Sequence, residues 1–136
     1  MQTKLTIETQ GRSTIEFTAH VESFIQKHSI KTGICSIFSH HTSASLLITE
    51  NADPTVRADI EMILERLAPD ADAMYQHDYE GDDDMSAHIR CMLTNDSLTI
   101  PISNNALALG TWQGIFLYEH RYKPHQRKVT ITLIGS

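Results

Sequence analysis

The chain has 136 residues and a net charge of −6, with 40% hydrophobic and 21% charged residues, the balance of a globular protein. The acidic charge argues against nucleic acid or an anionic membrane as a partner, and no apolar stretch is long enough to span a bilayer. The N-terminal residues do not form a signal sequence, so we expect one cytoplasmic domain over residues 1–136.

Two short runs of alternating apolar and polar residues open the chain. They cover residues 3–9 and 13–18 and flank Gln10-Gly11-Arg12, a pattern that predicts a β-hairpin. A short helix ending near Ser29 is expected next. Two strands should follow it, over residues 34–38 and 44–49.

The clearest helical pattern covers residues 54–67. Asp53 is a good N-cap, and Pro54 suits the first helical position because no donor is needed there. Pro69 should end this helix. We then expect an acidic loop and a second helix, over residues 70–84 and 85–93.

Strand patterns dominate the last third of the chain, over residues 98–102, 112–119 and 128–134. Strands at both ends with helices between them indicate an α+β fold and not alternating βαβ units. We therefore predict mostly antiparallel β-sheets, with a few helices packed on one side.

The first candidate site is His40-His41-Thr42-Ser43, between two predicted strands. Histidine serves readily as a base or a metal ligand near neutral pH, but the spacing alone favours a hydrogen-bonded turn with one half-buried histidine. No Gly-x-Ser-x-Gly sequence surrounds Ser43 or Ser45, which argues against a serine hydrolase.

The second candidate is the acidic run that begins at His77 and leads to His88. Glu80 and Asp82 could bind a divalent cation or orient a histidine ring, although such runs are usually solvated loops. Asp83 or Asp84 could simply cap the following helix. The histidines lack zinc-motif spacing, yet side chains from different elements can still converge on a metal.

Two further segments near the C-terminus could contribute. Gln113 and Glu119 share one face of a predicted strand, but six residues separate them by roughly 20 Å, too far for one compact site in one subunit. Trp112 could belong to this site or to the core. In the basic loop 120–128, Arg127 could clamp a phosphate or carboxylate, or the loop could be a solvated hairpin tip.

Several motifs occur together in an order that resembles the YjbQ family, often labelled secondary thiamine-phosphate synthase. The resemblance covers nearly the whole chain, and Leu-Gly-Thr-Trp-Gln is quite specific to the family. The matching segments are His41-Thr42-Ser43-Ala44, Glu50-Asn51-Ala52-Asp53-Pro54, His77 with Glu80-Gly81-Asp82, Ala87-His88, Ile100-Pro101-Ile102 and Leu109-Gly110-Thr111-Trp112-Gln113.

The resemblance implies a homotrimer with a histidine-lined site near the subunit contacts and a bound divalent metal, with zinc as the first candidate and Mg²⁺ if the synthase activity is real. Together with the residues it predicts metal ligands (His41, His77, His88), catalytic residues (Glu80, Asp82, Gln113, Glu119) and substrate contacts (Ser43, Trp112, Arg127).

The expected function is therefore a metal-assisted enzyme acting on a small phosphorylated metabolite, with thiamine-phosphate synthase as the named activity. A three-histidine metal site would suit activation of water or polarisation of a carbonyl better than displacement of a diphosphate. Two alternatives stay open: a non-catalytic trimeric module that binds a metal or a small anion, and a structural protein whose histidines are core and turn residues.

Overall fold

The computed structural model describes residues 1–136 and contains eight strands and three helices, which confirms the α+β prediction. In chain order they are β1 (Gln2–Thr9), β2 (Ser13–Glu16), α1 (Thr18–His28), β3 (Thr32–Ser39), β4 (Ala44–Glu50), α2 (Pro54–Leu67), α3 (Asp84–Leu93), β5 (Ser97–Ser103), β6 (Ala106–Leu107), β7 (Gln113–Glu119) and β8 (His125–Gly135). None of the helices has the length and apolar character needed to cross a membrane.

Two antiparallel sheets enclose the main core. The larger sheet has the strand order β1-β8-β3-β5-β6, and the smaller one has the order β2-β7-β4. Because side chains alternate along a strand, every second residue of each sheet enters the space between them. Fully buried examples are Ile37, Val129 and Ile131 from the larger sheet, and Leu46, Ile115 and Leu117 from the smaller one.

The predicted N-terminal hairpin is wrong. β1 pairs with β8, whereas β2 pairs with β7, so the two runs lie in different sheets. Alternation indicates that a segment is a strand but not which strand lies beside it. Gly11, with φ of 130°, lies in the connection between the sheets, where an added Cβ would be 3.0 Å from the carbonyl oxygen of Tyr122.

The helices do not all pack on one side, contrary to expectation. Val21 and Ile25 of α1 are fully buried in the core between the sheets. α2 and α3 instead cover the outer face of the smaller sheet, where the Arg57 guanidinium lies 4.8 Å from the Phe116 ring. The predicted cap of α2 is confirmed, because the Asp53 side chain accepts a hydrogen bond from the Thr55 amide.

The connection between α2 and α3 is a closed loop that we call the 68–83 loop. Its ends meet where the Ala71 amide donates to the carbonyl oxygen of Asp82, at 2.9 Å. Arg12 forms a salt bridge with Asp70 at 2.9 Å, and the Tyr122 hydroxyl donates to the same carboxylate. This anchoring gives His77 a defined position beside the start of α3.

Candidate functional site

Two histidines and one aspartate converge at the N-terminal end of α3. Asp84 and His88 are four residues apart, so they lie on the same face of the helix, and the 68–83 loop brings in His77. The Nε2 atoms of His77 and His88 lie 2.7 Å and 3.2 Å from the same oxygen, Asp84 Oδ2. One ligand atom from each residue lies within 4.8 Å of the others, a spacing that suits a metal ion.

Asp84 is the buried member of this cluster, with 2% of its surface exposed. Burial alone would raise its pKa. The hydrogen bond with His77 and the charges of His88 and Arg121 outweigh burial, so the pKa of Asp84 lies below its ordinary value. Arg121 Nη1 donates to the other carboxylate oxygen at 2.6 Å, which leaves Oδ2 for the histidines. Asp84 is therefore an anion at neutral pH.

His88 is oriented by the backbone. Its Nδ1 lies 2.9 Å from the carbonyl oxygen of Thr42, which can only accept a hydrogen bond, so Nδ1 carries the proton. In the neutral ring Nε2 then directs a lone pair at the ionised Asp84 Oδ2. Two lone pairs that face each other at 3.2 Å require a cation between them, either a proton or a metal ion.

His41 does not join this cluster, although the sequence grouped it with His77 and His88. Its Nε2 accepts a hydrogen bond from the Lys128 amide at 2.8 Å, so that lone pair is already used. Its Nδ1 lies 3.4 Å from Arg127 Nη1. Burial, and then the charge of Arg127, lower the pKa of His41, so the ring is neutral and holds a turn.

Arg127 is not the free clamp expected from the basic loop. Its Nε donates to Glu119 Oε1 at 2.7 Å, and its Nη2 donates to Glu119 Oε2 and to Ser43 Oγ, the latter at 3.0 Å. Glu119 is fully buried and Arg127 is 4% exposed. The Arg127 nitrogens that could bind a phosphate therefore bind Glu119 instead. Ser43, the other predicted substrate contact, accepts a hydrogen bond from Arg127.

The remaining predicted residues divide between two places. Glu80 and Asp82 lie exposed in the 68–83 loop, near the cluster, and the carbonyl oxygen of Glu80 accepts from Arg121. Gln113 pairs with Glu50 at the opposite end of β7 from Glu119, where its side chain accepts from the Gly110 amide. Trp112 precedes it and is 61% exposed, so it is not a core residue. The predicted separation of Gln113 from Glu119 is confirmed.

A cavity of about 240 Å³ adjoins His77 between the 68–83 loop and α3. Three aspartates, one tyrosine and one methionine contribute to its wall, and neither lysine nor arginine does. The lining residues are Ala71, Asp72, Ala73, Tyr75, His77, Asp78, Gly81, Asp82 and Met85. Such a wall favours a neutral or positively charged group.

The sequence alone did not identify Asp84 and Arg121 as site residues. Asp83 or Asp84 was expected as a possible helix cap; Asp83 is the N-cap and makes no side-chain capping bond, whereas the Asp84 side chain contacts the histidines. A signal did exist: an aspartate four residues before a histidine on one helix places both on the same face. For Arg121 the sequence contained no comparable signal, because its contact with Asp84 joins residues 37 apart.

A second polar pair, Ser45 and His120, is enclosed by protein. Ser45 Oγ lies 2.7 Å from His120 Nε2, and both residues are buried. Burial, followed by the charges of Arg90, Arg12 and Arg127, lowers the pKa of His120 to about 3. None of the cavities is lined by this pair, which agrees with the absence of a hydrolase motif.

Residues 3–136 match the family model described as UPF0047 protein YjbQ-like. A UPF0047 protein of Synechocystis sp. is 49% identical over 132 residues, which cover 97% of this chain and 90% of that protein. The UPF0047 protein YjbQ of Salmonella typhimurium is 49% identical over 107 residues, which cover 79% of this chain and 77% of that protein.

Solved structures show the same fold. An uncharacterized conserved protein of the YjbQ/UPF0047 family from Clostridium acetobutylicum superposes with a TM-score of 0.89 at 34% identity, covering 97% of this chain and 99% of that one. A hypothetical protein from Aeropyrum pernix superposes with a TM-score of 0.90 at 25% identity, covering 100% and 99%. These similarities span the complete α+β domain and not one motif.

Proposed function

This chain belongs to the UPF0047 (YjbQ-like) family, and from that premise we propose that it is a metal-assisted enzyme acting on a small phosphorylated metabolite. His77, Asp84 and His88 would hold the divalent cation, with zinc as the first candidate. The fit rests on the ligand set, because two imidazoles and one carboxylate with a position left over are typical of catalytic zinc sites.

One observation carries this proposal: His88 Nε2 lies 3.2 Å from the ionised oxygen of Asp84, a contact that needs a proton or a metal ion between the two atoms. The hydrogen bond to Thr42 fixes the proton on the other ring nitrogen, as it does in histidines that bind metals. Two ligands of one tetrahedral zinc ion lie about 3.3 Å apart, close to the 3.2 Å between His88 Nε2 and Asp84 Oδ2, whereas His77 Nε2 lies nearer, at 2.7 Å. The same distances also suit hydrogen bonds, so metal content is the measurement that distinguishes a metal shell from a hydrogen-bond network.

When bound, such a cation polarises a phosphoryl or carbonyl oxygen or lowers the pKa of a bound water. Arg121 and Arg127 would then support the site without contacting the substrate. Arg121 neutralises part of the Asp84 charge, and Arg127 is engaged by Glu119, so neither is free to bind a phosphate. The acidic cavity beside His77 would accept an uncharged or cationic part of the substrate.

Metal content tests the ligand set directly. After zinc loading and desalting, elemental analysis should find one zinc ion per wild-type chain. It should find much less zinc in His77→Ala, His88→Ala and Asp84→Asn. His20→Ala is the matched control, since this exposed histidine of α1 lies outside the cluster and its loss should leave the zinc content unchanged. Wild-type protein without metal, or a full complement in the His88→Ala/Asp84→Asn double variant, would refute the site.

The named activity, thiamine-phosphate synthase, is tested by growth. Cells lacking their own thiamine-phosphate synthase should grow without thiamine when they express this protein, and should not when they express Asp84→Asn at the same level. Mg²⁺ would be the alternative metal for this reaction, because the chemistry releases a diphosphate. Failure of the well-expressed wild-type protein to restore growth would eliminate this activity.

A non-catalytic trimeric module that binds a metal or a small anion is the second candidate. It is favoured by the engagement of Arg121 and Arg127 with carboxylates, which leaves few groups free to act on a substrate. Full metal content without turnover of any phosphorylated metabolite would support the module over the enzyme.

We also propose that the chain forms a homotrimer in the cytoplasm. The outer face of the larger sheet exposes Ile34, Phe38 and Ile134, a surface that a second copy could cover. Cys35 and Cys91 are both unpaired, as expected in a reducing compartment. Light scattering should give three times the chain mass, and a monomer in dilute solution would contradict this assembly.

A further inference from the structure

We propose that the buried pair Glu119–Arg127 positions the ligand His88, acting through the backbone of the turn His41–Ser43. This inference rests on the proposed function, because it concerns the same cation site. It gives Glu119 and Arg127 a task other than the catalytic and substrate-binding ones expected from the sequence.

The pair is held rigidly at one end of the core. Glu119 lies on the inner face of the smaller sheet and Arg127 on the inner face of the larger one, so the ion pair joins the two sheets. Oε1 of Glu119 also accepts from the Thr9 hydroxyl at 2.6 Å, and Oε2 accepts from the Arg121 amide at 3.2 Å. Thr9 and Arg121 thus restrict the carboxylate, which in turn restricts a guanidinium that solvent hardly reaches.

Arg127 and its neighbour hold the turn on both sides of Thr42. Arg127 Nη2 donates to Ser43 Oγ at 3.0 Å, directly after Thr42. The Lys128 amide donates to His41 Nε2 at 2.8 Å, directly before Thr42. The Thr42 carbonyl between these two anchors is therefore fixed against the last strand.

That carbonyl is the group which orients His88. It accepts the Nδ1 proton of His88 at 2.9 Å, so Nε2 is left as the ligand atom that faces Asp84. A shift of the turn would release this proton and allow the ring to rotate or change tautomer. Outer contacts of this kind contribute to metal affinity without touching the metal.

Stability alone gives a weak reason for this ion pair. Apolar residues of similar volume often replace a buried ion pair without loss, because desolvating two charges costs about as much as their attraction returns. A role in positioning accounts for an arginine here, because its planar guanidinium group can donate to Glu119 and to Ser43 at the same time. Lysine would keep the charge and lose one of these contacts.

Zinc affinity, measured by competition with a chromophoric chelator, tests the inference. Arg127→Lys should weaken binding by about 10- to 100-fold, the usual effect of losing an outer contact. Ser43→Ala, which keeps the ion pair, should weaken zinc binding by a smaller factor. This variant tests the same inference if Arg127→Lys does not fold. Val21→Ala is the control, because it removes a core side chain of α1 and should lower the melting temperature without changing zinc affinity.

A second measurement uses the metal-free protein. In long-range ¹H–¹⁵N spectra the Nδ1 proton of His88 should exchange slowly in the wild type and rapidly in Arg127→Lys. Wild-type affinity with slow exchange in Arg127→Lys would overturn the inference and leave the metal site intact. An equal loss of affinity in Val21→Ala would also overturn it, whereas a wild-type chain that binds no zinc would refute the proposed function itself.

Discussion

His120 offers a quantitative test of the structure, because the fold encloses it as a neutral imidazole among arginines. It is fully buried on the outer face of the smaller sheet, with Nε2 bonded to Ser45. Burial and the charges of Arg90, Arg12 and Arg127 lower its pKa from 6.5 to about 3. Replacing His120 by glutamine keeps a polar group near Nε2 and removes the titration.

The sign of the effect follows from the order of the two pKa values. The unfolded chain protonates His120 near pH 6.5, whereas the folded chain resists protonation until about pH 3. Stability therefore falls as the pH drops through this window. At pH 4.5 the solution lies about 2 units below the pKa of His120 in the unfolded chain, so protonation stabilises the unfolded state. The free energy of unfolding is therefore about 2 to 3 kcal/mol lower than at pH 7.

Urea unfolding at pH 7.0 and pH 4.5 measures this cost. Between the two pH values His120→Gln should lose about 2 to 3 kcal/mol less stability than the wild type, since other titrating groups contribute equally to both. Val21→Ala should be less stable at each pH and show the wild-type difference between them. If His120→Gln loses as much stability as the wild type on acidification, the histidine is not held neutral by the fold.

Two further predictions concern the frame of the site. Gly33→Ala should cost several kcal/mol in urea unfolding, because its Cβ would lie 2.1 Å from the carbonyl oxygen of Ile134 on the paired strand; unchanged stability would contradict the β3–β8 register. Asp70→Ala should release the 68–83 loop from Arg12 and Tyr122, so limited proteolysis within the loop should accelerate several-fold while α2 and α3 stay folded. Cleavage at the wild-type rate would show that Asp70 is not the anchor.

The sequence predicted best those elements that local signals define. The helix Pro54–Leu67 begins and ends as expected, because the cap Asp53 and the helix-breaking Pro69 are features of neighbouring residues. The strand Gln113–Glu119 was likewise found from its alternation. The N-terminal hairpin was wrong because pairing with β7 or β8 depends on residues a hundred or more positions away.

The site shows the same division. His77 and His88 could be suggested by residue type and family resemblance, and the four-residue spacing from Asp84 to His88 was a signal that was not used. By contrast, Arg121 enters only through a contact made in the folded chain. Arg127 illustrates a signal that was present and not used. It shares its strand face with Val129, Ile131 and Leu133, so the period of two already placed it inward.

The sequence by itself indicated the family and the α+β class, and it singled out His77 and His88 as candidate site residues. These follow from motif order and local periodicity, which need no knowledge of distant contacts. Only the tertiary structure decided that Asp84 completes the cluster and that His41 supports it from outside. The side chains of His77, Asp84 and His88 meet within a few ångströms because the 68–83 loop closes and the turn before β4 contacts His88.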